Sequence, residues 1–180
     1  MELIEKYGAD ATRFGLAWQI SDAQDMRFGE EDILAGKKFC NKIWNASRFV
    51  LLQIGNPPPT GDLPQGDKIQ TEADKKILLG LKKLQKDVGK FIEKYEFGKA
   101  LHRLYDFFWH QYADIYIETA KKQLADEKLK VQTQNALLYV HLNLLRLLHP
   151  FLPFITEEIW QTFGKLNKSK KLILVENWPI

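Results

Sequence analysis

Between Thr71 and Gly164 the apolar residues of this chain return at steps of three and four, the spacing that lines one face of an α-helix. Ile77, Leu81, Leu84, Val88 and Phe91 form one stripe. Phe97, Leu101, Leu104, Phe108, Tyr112 and Ile115 form a second, rich in aromatics and reaching about Ala125. Stripes of this kind are buried by packing helix against helix, so the pattern predicts an all-α chain folded as a helical bundle. Core packing explains the aromatic stripe without a cofactor.

The breaks between stripes fall at residues that stop or start helices. Thr71 followed by Asp74 reads as an N-cap, and Gly89 is the one weak point of the helix it opens. A further bundle helix is predicted from about Val131 to His149, where Pro150 disfavours helical geometry in the residue before it. Pro153 can open the next helix at its first position, with Ile155, Ile159, Trp160 and Phe163 inward and Gly164 closing it. Leu172 to Val175 reads as either a short strand or a loop, a lone strand having no evident partner. Upstream, residues 8 to 20 read as an amphipathic helix with Ala11, Phe14, Ala17 and Trp18 inward, and Ser21 to Arg27 as a polar connection. A long helix starts near Gly29, with Glu30, Glu31 and Asp32 in the first turn, where acids complement the helix dipole. The Gly55-Asn-Pro-Pro-Pro-Thr-Gly61 run stops it, and an exposed loop continues to about Gln70.

The long helix carries the chemistry. No acidic residue occurs between Asp32 and Asp62, yet Lys37, Lys38, Lys42 and Arg48 lie in this window. Winding residues 37 to 54 at about 100° per residue puts Phe39, Ile43, Ala46, Ser47, Val50 and Ile54 on one stripe, with Cys40 and Leu51 at its margin. The opposite side collects Lys37, Lys38, Asn41, Lys42, Asn45 and Arg48, and with them Phe49 and Leu52. Cations suit phosphates, carboxamides suit base edges, and an aromatic ring offers a face to an unstacked base. Phe49 has two readings: a stacking platform for RNA, or core for a neighbouring helix of the bundle.

Composition bounds the alternatives. With 180 residues, 45% of them hydrophobic, the chain can bury one sizeable core. A net charge of +3 points to no partner by itself; clustering matters more. Lys75 to Lys99 holds eight lysines against three acids and reads as a solvated face with diffuse attraction for phosphate; Lys165 to Lys171 holds four lysines. The single cysteine, Cys40, excludes an internal disulfide and a cysteine-based zinc cage, and reads as a small buried hydrophobe. His102 and His110, like His141 and His149, are too far apart in sequence for a helical metal pair. Glu157 and Glu158 point about 100° apart, so they cannot share a reacting atom, and they are assigned to a first-turn cap. No signal-peptide pattern and no membrane-spanning run is present. The expectation is a chain with no catalytic residues and no metal site, in the cytosol.

Two runs carry a resemblance. Phe39-Cys-Asn-Lys-Ile-Trp-Asn-Ala-Ser-Arg-Phe-Val-Leu51, preceded by Tyr7-Gly-Ala-Asp-Ala-Thr-Arg-Phe14 and Asp25-Met-Arg-Phe28, resembles the region after the catalytic domain of valyl-tRNA synthetases. Leu144-Leu-Arg-Leu-Leu-His-Pro-Phe-Leu-Pro-Phe-Ile-Thr-Glu-Glu-Ile-Trp160 resembles the last bundle helices of that family, and Trp178-Pro179 the end of its helical domain. The His-x-Gly-His and Lys-Met-Ser-Lys-Ser type motifs of class I synthetases do not occur here.

The resemblance implies a helical connector at residues 1–28 and an anticodon-binding α-helical bundle at 29–180. It implies binding to the anticodon stem-loop of tRNA for valine, through Arg27, Lys37, Lys38, Asn41, Lys42, Asn45, Arg48 and Phe49. Glu31 departs from the family, which often has a basic residue near that position. ATP and magnesium belong by resemblance to the parent enzyme and not to this segment, which should be inactive alone. The other partner implied is the enzyme's own catalytic domain, in a monomer. A second reading remains open: a helical module that binds protein without RNA specificity.

Overall fold

A computed structural model describes residues 2–20, 29–54, 71–166 and 171–179, and among these all long elements are helical. They are α1 (Glu2–Tyr7), α2 (Ala9–Trp18), α3 (Glu30–Gln53), α4 (Glu72–Glu93), α5 (Phe97–Asp106), a π-helical segment (Phe107–Tyr116), α6 (Ile117–Leu124), α7 (Glu127–Leu148) and α8 (Pro153–Leu166). The segments Ser21–Arg27 and Gly55–Gln70, and with them Arg27, lie outside the described residues, as does most of the Lys165–Lys171 run.

The predicted stripes form the core. Phe39, Ile43, Val50, Leu81, Leu84, Val88, Leu101, Leu104 and Phe108 are all fully buried. α5, the π segment and α6 run on as one rod, and α3, α4 and α7 pack against it. Thr71 caps α4 as expected, its hydroxyl accepting the Asp74 N–H at 3.1 Å. Gln123 donates to the same hydroxyl at 2.7 Å, and the buried Asp74 carboxylate accepts from Tyr116 Oη at 2.7 Å. These bonds join the start of α4 to the rod.

Four sequence expectations need correction. Ile115 is 59% exposed, whereas Tyr116 and Ile117 are buried. The cause is the π segment: the Ile117 N–H reaches back five residues to Tyr112 O, which widens the turn, so the next inward position after Tyr112 comes later than an α-helix puts it. α7 starts at Glu127 rather than near Val131, because the Asp126 carboxylate caps it by accepting the Lys128 N–H at 2.9 Å, and Val131 is left exposed. α8 continues past Gly164 to Leu166. Ile173–Val175, left open between strand and loop by the sequence, is a 3₁₀ turn; the Ile173 N–H donates to Glu157 Oε2 at 3.1 Å. That bond also removes Glu157 from its predicted capping role.

The cap of α8 comes from far away. Pro153 opens the helix and has no N–H to satisfy; the next two, Phe154 and Ile155, donate to the Asp10 carboxylate at 3.2 and 2.7 Å. Arg13, one turn along α2, donates to Pro150 O at 2.9 Å. α2 thus clamps the corner between α7 and α8. Its other side crosses α3 closely at Gly36, where a Cβ would stand 2.8 Å from Ala11 O and 2.9 Å from Phe14 Cβ. Phe14 is fully buried within the same core as the bundle helices.

Candidate nucleic-acid interface

α3 divides into three lanes. Its buried stripe is the predicted one: Phe39, Ile43, Ala46, Ser47, Val50 and Ile54 are all buried. Leu34, Lys38, Asn41, Asn45, Arg48 and Leu52 form an exposed ridge. About 15 Å of helical rise separates Lys38 from Arg48. Among the described residues, the side chains of Lys38, Asn41, Asn45 and Arg48 make no hydrogen bond or ion pair. Cations and carboxamides without internal partners are free to meet phosphates and base edges.

The flank beside the π segment differs. Lys42 Nζ lies 2.5 Å from Asp114 Oδ1 and 5.2 Å from the ring centroid of Trp109. Lys42, placed by the sequence among the free cations, is therefore neutralised within the chain. Phe49 is half-buried and packs against the core, and Lys121 Nζ stands 5.6 Å from its ring centroid. Of the two readings the sequence left open, the packing shows a ring set against the core with part of it reaching the surface.

The opposite flank holds Lys37 and Trp44. Lys37 Nζ is 5.8 Å from the Tyr7 ring centroid. Trp44 is 41% exposed, the largest ring on the outer surface of α3, and sequence reasoning passed over it. The signal was present: Trp44 lies three positions after Asn41 and four before Arg48, which puts the three on one helical face.

Beneath the ridge, a buried relay fixes the helices on either side. Ser47 Oγ donates to Ile43 O at 2.7 Å, so it must accept from His141 Nε2–H at 2.9 Å. His141 Nδ1 is then left to accept from Tyr112 Oη at 3.1 Å. Burial pushes the imidazole down to about 3, and Tyr112 well above the usual phenol range, so both stay neutral. Cys40 is half-buried against the core, and burial raises its thiol to about 12, which makes it unreactive. No group of three or more metal-ligating side chains occurs among the described residues.

Residues 74–180, more than half of the chain, match the family model for the anticodon-binding domain of tRNA ligase. The chain belongs to that family. Over 99% of its length the domain is 47% identical to the valine-tRNA ligase of Geobacillus kaustophilus, 44% to that of Bacillus subtilis and 42% to that of Pseudothermotoga lettingae. It spans about 20% of the length of each. The likeness to these ligases takes in α3, which lies upstream of the matched family model. Among solved structures, the agnB2 LeuRS of Agrobacterium radiobacter K84, in a ternary complex with tRNA and LeuAMS, superposes with a TM-score of 0.75. At 20% identity over 99% of the domain, that match establishes the all-α fold. No helix of the described residues is long and apolar enough to cross a membrane.

Proposed function

We propose that the domain binds the anticodon stem-loop of tRNA for valine through the exposed ridge of α3 and its two flanks. One observation carries this: Lys38, Asn41, Asn45 and Arg48 stand in a row without partners among the described residues, beside the exposed ring of Trp44. Lys38 and Arg48 supply attraction for phosphate, Asn41 and Asn45 supply base-edge donors and acceptors, and Trp44 supplies a stacking face. Lys37 and Phe49 border the ridge, and Arg27 stays in the contact set on the strength of the resemblance. Residues 1–28 serve as the connector to a catalytic domain; within it, Asp10 and Arg13 tie α2 to the corner between α7 and α8. Binding here orients the acceptor end of the tRNA toward chemistry performed elsewhere in a monomeric cytosolic ligase.

Titrating the domain with RNA hairpins that carry the valine anticodon, or the same stem with the anticodon replaced, tests the reading. Tighter binding of the first, with a steep fall in affinity as salt rises, is the expected result. The second reading, a protein-binding module, draws on an apolar groove of about 920 Å³ lined by Ile20, Ile92, Phe97, Phe151 and Trp178. Equal and salt-insensitive binding of both hairpins would shift the weight to that groove.

A further inference from the structure

The exposed face of α3 holds two kinds of lysine. Lys38 has no partner among the described residues, while Lys42, one turn on, is held by a carboxylate and a ring that both come from the π segment. Trp109 and Asp114 are five positions apart. In an α-helix they would point about 140° away from each other. In a segment closed by five-residue hydrogen bonds they come round to the same side, and both reach Lys42. The wide turn is thus what builds this contact. The second carboxylate oxygen, Asp114 Oδ2, lies 3.8 Å from His110 Nδ1, and the ring of Tyr105 packs edge-on to His110.

An ammonium group has three donors. Asp114 takes one, and the ammonium stands over the Trp109 ring, so the remaining donors have a restricted direction. The lysine and carboxylate together carry no net charge, and a phosphate arriving at Lys42 would also meet the anionic Asp114. A neutral acceptor, such as a base carbonyl or ring nitrogen, meets only an oriented donor.

We propose that Asp114 is a specificity-determining residue of the RNA interface: by pairing with Lys42 it excludes phosphate from this point of the face and leaves oriented donors for a base edge. The inference rests on the anticodon-binding reading of α3. The π segment is the element that delivers it.

Asp114→Asn in the full chain tests the proposal, because it keeps the shape and removes the charge. Two RNA hairpins serve as probes, one with the valine anticodon and one with its middle base changed, each titrated over a range of salt. The expected result is about a tenfold loss of discrimination between the hairpins, with the log-log salt slope steeper by about one unit as Lys42 becomes available to phosphate. Asp114→Glu, which restores the carboxylate, should recover most of the discrimination, and it also serves if Asp114→Asn fails to fold. A steeper slope with discrimination intact would show that Asp114 merely competes for a cation, and would overturn the proposal. Discrimination and slope both unchanged would overturn it as well. Failure of the underlying reading looks different: neither Lys38→Gln nor Arg48→Gln would then alter binding of either hairpin.

Discussion

The carboxylate of Asp10 accepts the N–H of Ile155 at 2.7 Å and caps a helix that begins 143 residues later in the chain. Asp10 is buried, and no residue near Pro153 takes its place at the cap. Asp10→Ala should therefore leave two orphaned donors and destabilise the chain by about 1–3 kcal/mol. Urea unfolding of the variant checks this; a midpoint equal to the parent's would mean that solvent satisfies the start of α8 unaided.

The unequal status of the α3 cations predicts unequal salt dependence. Lys38→Gln and Arg48→Gln should each lower affinity for RNA and reduce the log-log salt slope by about one unit. Lys42→Gln should leave the slope nearly unchanged, because Asp114 already neutralises it. Titrations at several salt concentrations measure all three. A Lys42 variant with the largest slope change would contradict the internal pairing.

The proposed interface gives the stacking role to the exposed ring of Trp44, whereas Phe49 packs against the core. Trp44→Ala should weaken RNA binding by about 1–3 kcal/mol, the usual worth of a base-aromatic stack, with little change in melting temperature. Phe49→Ala removes a ring packed against the core and should chiefly lower stability, by less than the about 3–5 kcal/mol of a fully buried phenylalanine. Melting and RNA titration on both variants separate the roles; loss of binding by Phe49→Ala at unchanged melting temperature would return the stacking role to Phe49.

His141 makes stability depend on pH. Folding holds its pKa near 3, while the unfolded chain binds a proton near 6.5. Between those values the unfolded state carries more protons, so its stabilising contribution is complete above pH 6.5 and falls as pH drops. His149, lowered by burial as well, acts with the same sign. The loss from pH 6.5 to pH 5, before most carboxylates titrate, should be about 1.5–2 kcal/mol from His141. Level stability across that interval in urea unfolding would show that the imidazole is not buried as a neutral group.

What the sequence determined by itself was the helical class, the inward stripe of α3, the Thr71 cap and the start of α8 at Pro153. Each depends on residues within a few turns of one another, so spacing and local chemistry suffice to read it. The tertiary structure decided which polar residues on α3 are free. Lys38 and Lys42 look alike in sequence, and only the π segment, 72 residues beyond Lys42 at Asp114, tells them apart. That segment escaped the periodicity because its extra width shifts the stripe by a residue or two, turning Ile115 outward and Tyr116 and Ile117 inward. Asp10 was equally opaque. Its partner is a pair of backbone N–H groups, which have no signature in side-chain identity, and only the folded chain brings the corner after α7 against α2.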